Sequence, residues 1–299
     1  MSRVLSDLDF RKIEIEDLLL VESVRVHAKS SVISFVDIDS GALWQMTSHG
    51  FQKQQVAPEL GFAEPLGSDA FLVGAGRRLG LVAPGSDTIW SPPLLPRGQR
   101  FNDATIDSLG RLIVGTLTVD PDQSRLDNRL FVLESDGTLA SIRREVGLSN
   151  GIAVEPQSGD LFHVDTTSST IHRIPLDPKS AEYGDPELMH QFANGESPDG
   201  LLMLETGELL VALWGSAALA TLDITRGEIE RVSVPPLFPT SVCICNRAGE
   251  LILGSASQPR DSMRANAAPG ALWKSTIELS QVPYFAWNPV PLRAISLGD

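Results

Sequence analysis

Only two cysteines, Cys243 and Cys245, occur in 299 residues. Two apart on one strand, they face the same side and are badly placed to bridge each other, so a disulfide framework is excluded. They read as small buried hydrophobes of a reduced, cytoplasmic protein. No apolar run approaches the length of a membrane span. The opening MSRVLSDLDFRKIEIEDLLL is broken by charges and lacks the apolar core of a signal peptide. Positive charge is scarce, with 24 Lys and Arg against 38 Asp and Glu and a formal charge of −14. No basic stripe is present, which argues against a nucleic-acid partner. Several reaction classes lack their motifs as well. There is no GxSxG elbow, no Walker loop and no GxGxxG after a strand. The five histidines, His27, His49, His163, His172 and His190, form no HExxH or other ligand pair. Each is expected at the surface or satisfied in the core.

Turn residues, by contrast, are plentiful: 25 Gly and 20 Pro spread along the chain. Helical periodicity is hard to find, and short apolar runs bounded by turns recur throughout. Two kinds of turn alternate. An inner kind, anchored at Ser30, Gly67, Gly110, Gly159, Gly207 and Gly249, leads into an apolar strand such as RLIVGT or ELLVAL. An outer kind, anchored at Gly41, Gly85, Gly137, Gly184, Gly227 and Gly270, falls between them. GALW occurs in both the first and the last outer copies, at 41–44 and 270–273. Six turns of each kind predict about twenty-four strands in six repeats, the pattern of a six-bladed β-propeller with four-stranded blades. One all-β domain over residues 1–299, with a central channel, follows. Two β-sandwiches would not explain the alternation.

Polar residues recur at a nearly fixed offset before the inner turns: Glu22, Asn102, Asn150 and Asp199. First strands line a propeller's channel, so these side chains are expected to meet near its axis, from blades one, three, four and five. Two carboxylates and two amide oxygens suit a hard divalent cation, with coordination positions left for substrate and water. Calcium is the first expectation; manganese, magnesium and zinc can occupy similar shells. Asn150-Gly151 and Asp199-Gly200 could equally be ordinary turn formers. Glu22 could not, because it stands inside the apolar run LLLVESVRV, where an unpaired carboxylate is costly. At the same offset, blade two carries Glu59-Leu60, with no role assigned, and blade six Thr240-Ser241, which at most line the channel. The acidic stretch DPDQSRLDN at 120–128 reads as a solvated loop near the channel mouth.

At these residues the chain resembles the senescence marker protein/gluconolactonase/luciferin-regenerating enzyme family. RFND at 100–103 with DSLGRLIVGTL at 107–117 is similar to the family's Arg-x-Asn-Asp and the strand that follows it. LSNGIAVEPQSGDLFHVDT at 148–166 and SPDGLLMLETGELLVALW at 197–214 resemble its Ser-Asn-Gly and Pro-Asp-Gly segments. PTSVCI at 239–244 and GALWKS at 270–275 resemble later ones. The resemblance spans roughly residues 15–275. It implies one divalent metal on the axis, held by Glu22, Asn150 and Asp199, with Asn102 as a direct or water-mediated ligand. It also implies that Asp199 acts as general base and that Arg100 and Asn102 hold substrate. The expected activity is hydrolysis of a small-molecule substrate, a sugar-acid lactone; hydrolysis of another ester or an organophosphate, or a non-catalytic metal-binding role, are the alternatives. Three departures alter the pocket walls. Glu22 lacks its usual Gly and Trp neighbours, Cys-Ile-Cys-Asn replaces a Phe-Gly-Gly, and Gly-Ser-Ala replaces a twin Gly after Trp214.

Overall fold

The computed structural model describes residues 5, 8–27, 30–67, 69–119, 127–257 and 270–298. Twenty-five strands, one 3-10 turn and no α-helix are found among them. Six sheets, antiparallel apart from one short added strand, follow one another around a ring, each with one strand on the inside. These inner strands are β2 (Val21–Val26), β6 (Leu60–Leu66), β10 (Gln99–Ile106), β14 (Ser149–Val154), β18 (Ser197–Met203) and β22 (Pro239–Cys245). The chain is a six-bladed β-propeller. Among the described residues no helix is long and apolar enough to cross a membrane.

The ring closes in a way the turn pattern did not reveal. The last blade takes three strands from the C-terminal part: β22, β23 (Glu250–Ser255) and β24 (Ala271–Thr276). Its fourth is β1 (Arg11–Ile13), from the other end of the chain, with Lys12 opposite Trp273. Beyond β24 the chain runs across the far end of the ring. Val282 N–H donates to the Met203 carbonyl and Asn288 N–H to that of Gly110. The chain then adds β25 (Ser296–Leu297), parallel to β13 (Thr138–Val146), as a fifth strand on blade three.

The outer turns need one correction. Gly41 and Gly270 join second and third strands, so the two GALW copies occupy the same place in blades one and six. Gly85, Gly137, Gly184 and Gly227 instead join third and fourth strands. One glycine turn per blade gave the right number of blades without marking an equivalent position. Blades two and five also carry a positive-φ glycine in the second-to-third connection, Gly76 and Gly215, which the alternation of turns passed over.

Burial explains why strands of this composition form blades. Cores such as Phe62, Leu72, Phe101, Leu112, Phe131 and Leu139 are drawn from two neighbouring blades, so each blade buries both faces. Cys243 and Cys245 are buried there, as expected. Toward the axis the packing is tighter still. A Cβ on Gly151 would lie 2.5 Å from the Asp199 carbonyl oxygen, and one on Gly200 2.5 Å from that of Thr240. Neither residue has a positive φ. These glycines therefore follow Asn150 and Asp199 because the next blade's backbone leaves no room for a side chain. They are not there to make turns. Gly200→Ala is expected to destabilise the fold by about 1–3 kcal/mol, the usual cost of overpacking. Chemical denaturation measures it, and an alanine variant as stable as the parent would contradict this account of the seam.

Candidate metal centre and channel mouth

A β-bulge interrupts every inner strand at nearly the same height. Register shifts separate Phe101 from Ala104, Ser149 from Ile152, Pro198 from Leu201 and Pro239 from Val242. Asn102, Asn150, Asp199 and Thr240 each open such a bulge. A bulge breaks the in-out alternation and re-aims a side chain, here within a strand whose flanking residues pack into the blades. Blade one differs by one residue. Its bulge holds Ser23 and Val24, leaving Glu22 just ahead of it, paired with Val36. Ser23 takes a left-handed φ of 49° directly after Glu22. In blade two the bulge falls at Gly61. A Cβ there would lie 2.4 Å from the Phe101 carbonyl oxygen and 3.1 Å from Arg100 Nη1, so the bare glycine leaves the space that Arg100 occupies.

The structure joins Arg100, Asn102 and Asn150 in a chain of hydrogen bonds. Arg100 Nη1 donates to Asn102 Oδ1 at 2.7 Å. Asn102 Nδ2 donates to Asn150 Oδ1 at 2.6 Å and to the Ser149 carbonyl at 2.8 Å. Asn150 Nδ2 is tied to Thr166 Oγ1 at 2.8 Å, and that hydroxyl donates to the Pro198 carbonyl, one residue before Asp199. Blades three, four and five are thereby linked through the residues singled out by spacing. The amide orientations follow, because an arginine can only donate.

Glu22 and Asp199 complete the cluster electrostatically. Burial, reinforced by Asp103, pushes the Glu22 carboxyl up to about 8, against the opposing pull of Arg100, the Ser23 N–H and Arg25. Burial, Glu22 and Asp103 push Asp199 well above the usual carboxylate range. Asp199, buried, and Glu22, half-buried, thus repel each other at the mouth, and among the described residues no salt bridge reaches either one. Arg100 is near enough to feel Glu22, Glu59 and Asp39, though burial dominates and lowers its pKa. No group of three or more His, Cys, Asp or Glu side chains forms a metal cage among the described residues. A cation here would have to take amide oxygens along with the two carboxylates. That donor set is hard, oxygen-only and doubly negative, which fits a divalent ion.

Thr240 and Ser241 serve the seam between blades six and one. Thr240 Oγ1 donates to the Val21 carbonyl, and Ser241 Oγ accepts the Val24 N–H at 2.9 Å. Two residues before Asp199, Ser197 pairs with Trp214, whose ring lies 4.9 Å from that of Phe238. Of the acidic stretch at 120–128, residues 120–126 lie outside the described residues. Sequence reasoning gave no role to Ser149 and left His163 as an ordinary core residue. The two are hydrogen bonded, His163 Nε2 to Ser149 Oγ at 2.7 Å, with Arg143 Nη1 2.9 Å from His163 Nδ1. Arg143 must donate, so the imidazole Nδ1 accepts and its Nε2–H donates to the serine. That polarity is the reverse of what activates a serine nucleophile.

Comparison with known proteins identifies the family and supports the fold. The family model described as the SMP-30/gluconolactonase/LRE-like region matches residues 20–257. The chain belongs to this family. Pentonolactonase XacC of Haloferax volcanii is 27% identical over 221 residues, covering 70% of this chain and 72% of that protein. Among solved structures, a luciferin-regenerating enzyme superposes with a TM-score of 0.86 at 19% identity, over 95% of this chain and all of the other. A calcium-binding protein, regucalcin, from Agrobacterium tumefaciens gives a TM-score of 0.81 at 19% identity, over 94% and 98% of the two chains. At those identities the superpositions speak for the fold.

The raised carboxyls carry a testable sign. Glu22 sits above its unfolded value of 4.5, so without bound cation its contribution to stability is fully present below about pH 4.5 and is lost as pH rises through about 8. In chelator, the melting temperature is expected to fall between pH 5 and 8.5, and Glu22→Gln to flatten that slope. An unchanged slope in the variant would remove Glu22 as its source.

Proposed function

We propose that this family member is a metal-dependent hydrolase of the cytoplasm that opens a sugar-acid lactone. The observation that carries the reading is a pair of carboxylates, buried Asp199 and half-buried Glu22, set at the channel mouth without a salt-bridged protein cation on either and beside oriented amides. Burying two like charges is unfavourable unless something positive joins them. Glu22, Asn150 and Asp199 would hold a divalent ion, calcium first. Asn102 would contribute through a water while Arg100 holds its Oδ1. The lactonase activity named for the Haloferax relative supports the substrate class, and the calcium named for regucalcin supports the ion.

When bound, the ion supplies Lewis-acid polarisation of the lactone carbonyl. The remaining work falls to side chains. Asp199, kept ionised by the neighbouring positive charge, accepts the proton of the attacking water through a carboxylate oxygen. Arg100 has donors beyond the one given to Asn102 and orients the lactone oxygens. Asn102 and Asn150, tied to each other, hold their oxygens at fixed positions, which lowers the reorganisation needed as charge develops.

Hydrolysis of a panel of aldonolactones, with and without added calcium, manganese or zinc, tests the reading. Asp199→Asn is expected to reduce kcat by at least about a hundredfold, within the range for loss of a general base. Glu22→Gln should weaken cation binding and turnover together. Near-normal turnover in both variants would remove these residues from catalysis. Saturable cation binding with no lactone or ester turned over would favour a binding module.

A further inference from the structure

Beneath the mouth lies a charge network that the proposed reaction does not use. Arg25, in the inner strand of blade one and only 7% exposed, reaches across the channel. Its Nε donates to Glu64 Oε1 of blade two at 2.7 Å. Its Nη2 donates to Asp103 Oδ1 and to the Ala104 carbonyl of blade three, at 3.0 and 2.7 Å. Tyr284, from the segment crossing the far end, lies under the guanidinium, 5.6 Å from its carbon to the ring centroid. One side chain thus binds three blades from below. A lysine could not reproduce this, because its single ammonium lacks the planar fork.

Asp103 is the member that matters for the mouth. It follows Asn102 in the same bulge, and its charge is felt by both Glu22 and Asp199. Yet the three acids are not gathered into a metal cage. Its Oδ1 is turned to Arg25 and to the Ala104 N–H at 2.8 Å. Glu64 and Asp103 are salt-bridged to Arg25, whereas Glu22 and Asp199 are not salt-bridged. The two negative charges of that second pair are what one divalent ion neutralises.

We infer that Arg25 is the residue that sets the charge of the cation site, by holding Asp103 off as a would-be third carboxylate ligand. This rests on the metal centre proposed above. With Arg25 in place the ion meets two carboxylates, binds as a divalent species and keeps open positions for water and substrate. Without it, Asp103 turns to the ion, displaces a water and favours more highly charged cations, since ligand charge tunes affinity in oxygen sites.

Terbium titration and luminescence lifetimes in light and heavy water test this, because they report affinity and bound water separately from turnover. Relative to the parent, Arg25→Met is expected to bind terbium about tenfold more tightly and to hold about one water fewer, consistent with an added charged ligand. Adding Asp103→Asn to Arg25→Met should restore the lost water and cancel the gain. If the gain survives in that double variant with the water count unchanged, removal of a positive charge alone explains it and the inference fails. Asp103→Asn alone provides a test that does not depend on folding of the Arg25 variant. It should keep the parent's water count and weaken binding by less than about tenfold, whereas one extra water would show that Asp103 is already a ligand. Absence of terbium or calcium binding by the parent would instead overturn the metal centre itself.

Discussion

The close approach of neighbouring inner strands at their bulges is the constraint on which the site depends. Where Gly151 meets the Asp199 carbonyl and Gly200 meets that of Thr240, backbone lies against backbone with no side chain between. This contact fixes the height of each bulge relative to the next blade. Asn102, Asn150 and Asp199 come from strands dozens of residues apart, yet the bulges set them in one small region. The hydrogen bonds from Arg100 through Asn102 and Asn150 to Thr166, and on to the Pro198 carbonyl, trace the same seam. Scaffold rigidity and site geometry have a single origin.

Electrostatics then acts on what packing has assembled. Apolar blade faces make the channel a place where charge is poorly solvated, and the acids there respond by rising in pKa. The positive groups are unevenly shared. Arg25 is spent on Glu64 and Asp103, while Arg100 is spent largely on Asn102, with further acids around it. Glu22 and Asp199 are left to face each other. The Ser149–His163–Arg143 contact shows the opposite case, a polar group fully satisfied inside the protein and therefore without reactivity.

Much of this was legible in the sequence, for physical reasons that differ by residue. Glycine turns announce strand ends, so six blades could be counted, and Glu22 stood out because a charge inside an apolar strand needs an explanation. The two GALW segments marked equivalent strands because they share local chemistry. Pairing of β1 with β24 was not legible, since strand pairing between distant segments leaves no local mark. Nor was the one-residue displacement of the blade-one bulge, because counting from a turn cannot detect where a ladder slips. The glycines after Asn150 and Asp199 looked like turn formers for the same reason: a one-dimensional pattern does not show a neighbouring backbone. Arg25 and Asp103 were passed over because each looks ordinary until their blades are brought together.

Closure of the last blade by β1 also orders events in time. The strand that completes the ring is made among the first, and its partner β24 among the last. Until residues 271–276 leave the ribosome, β1 has no edge to join, and blade six holds only β22 and β23. Closing so long a loop costs entropy that grows only slowly with its length, so the delay comes from synthesis more than from the search. A chain ending before β24 would hold five complete blades and only two strands of the sixth, so the ring closes in one step, when β1 finds β24.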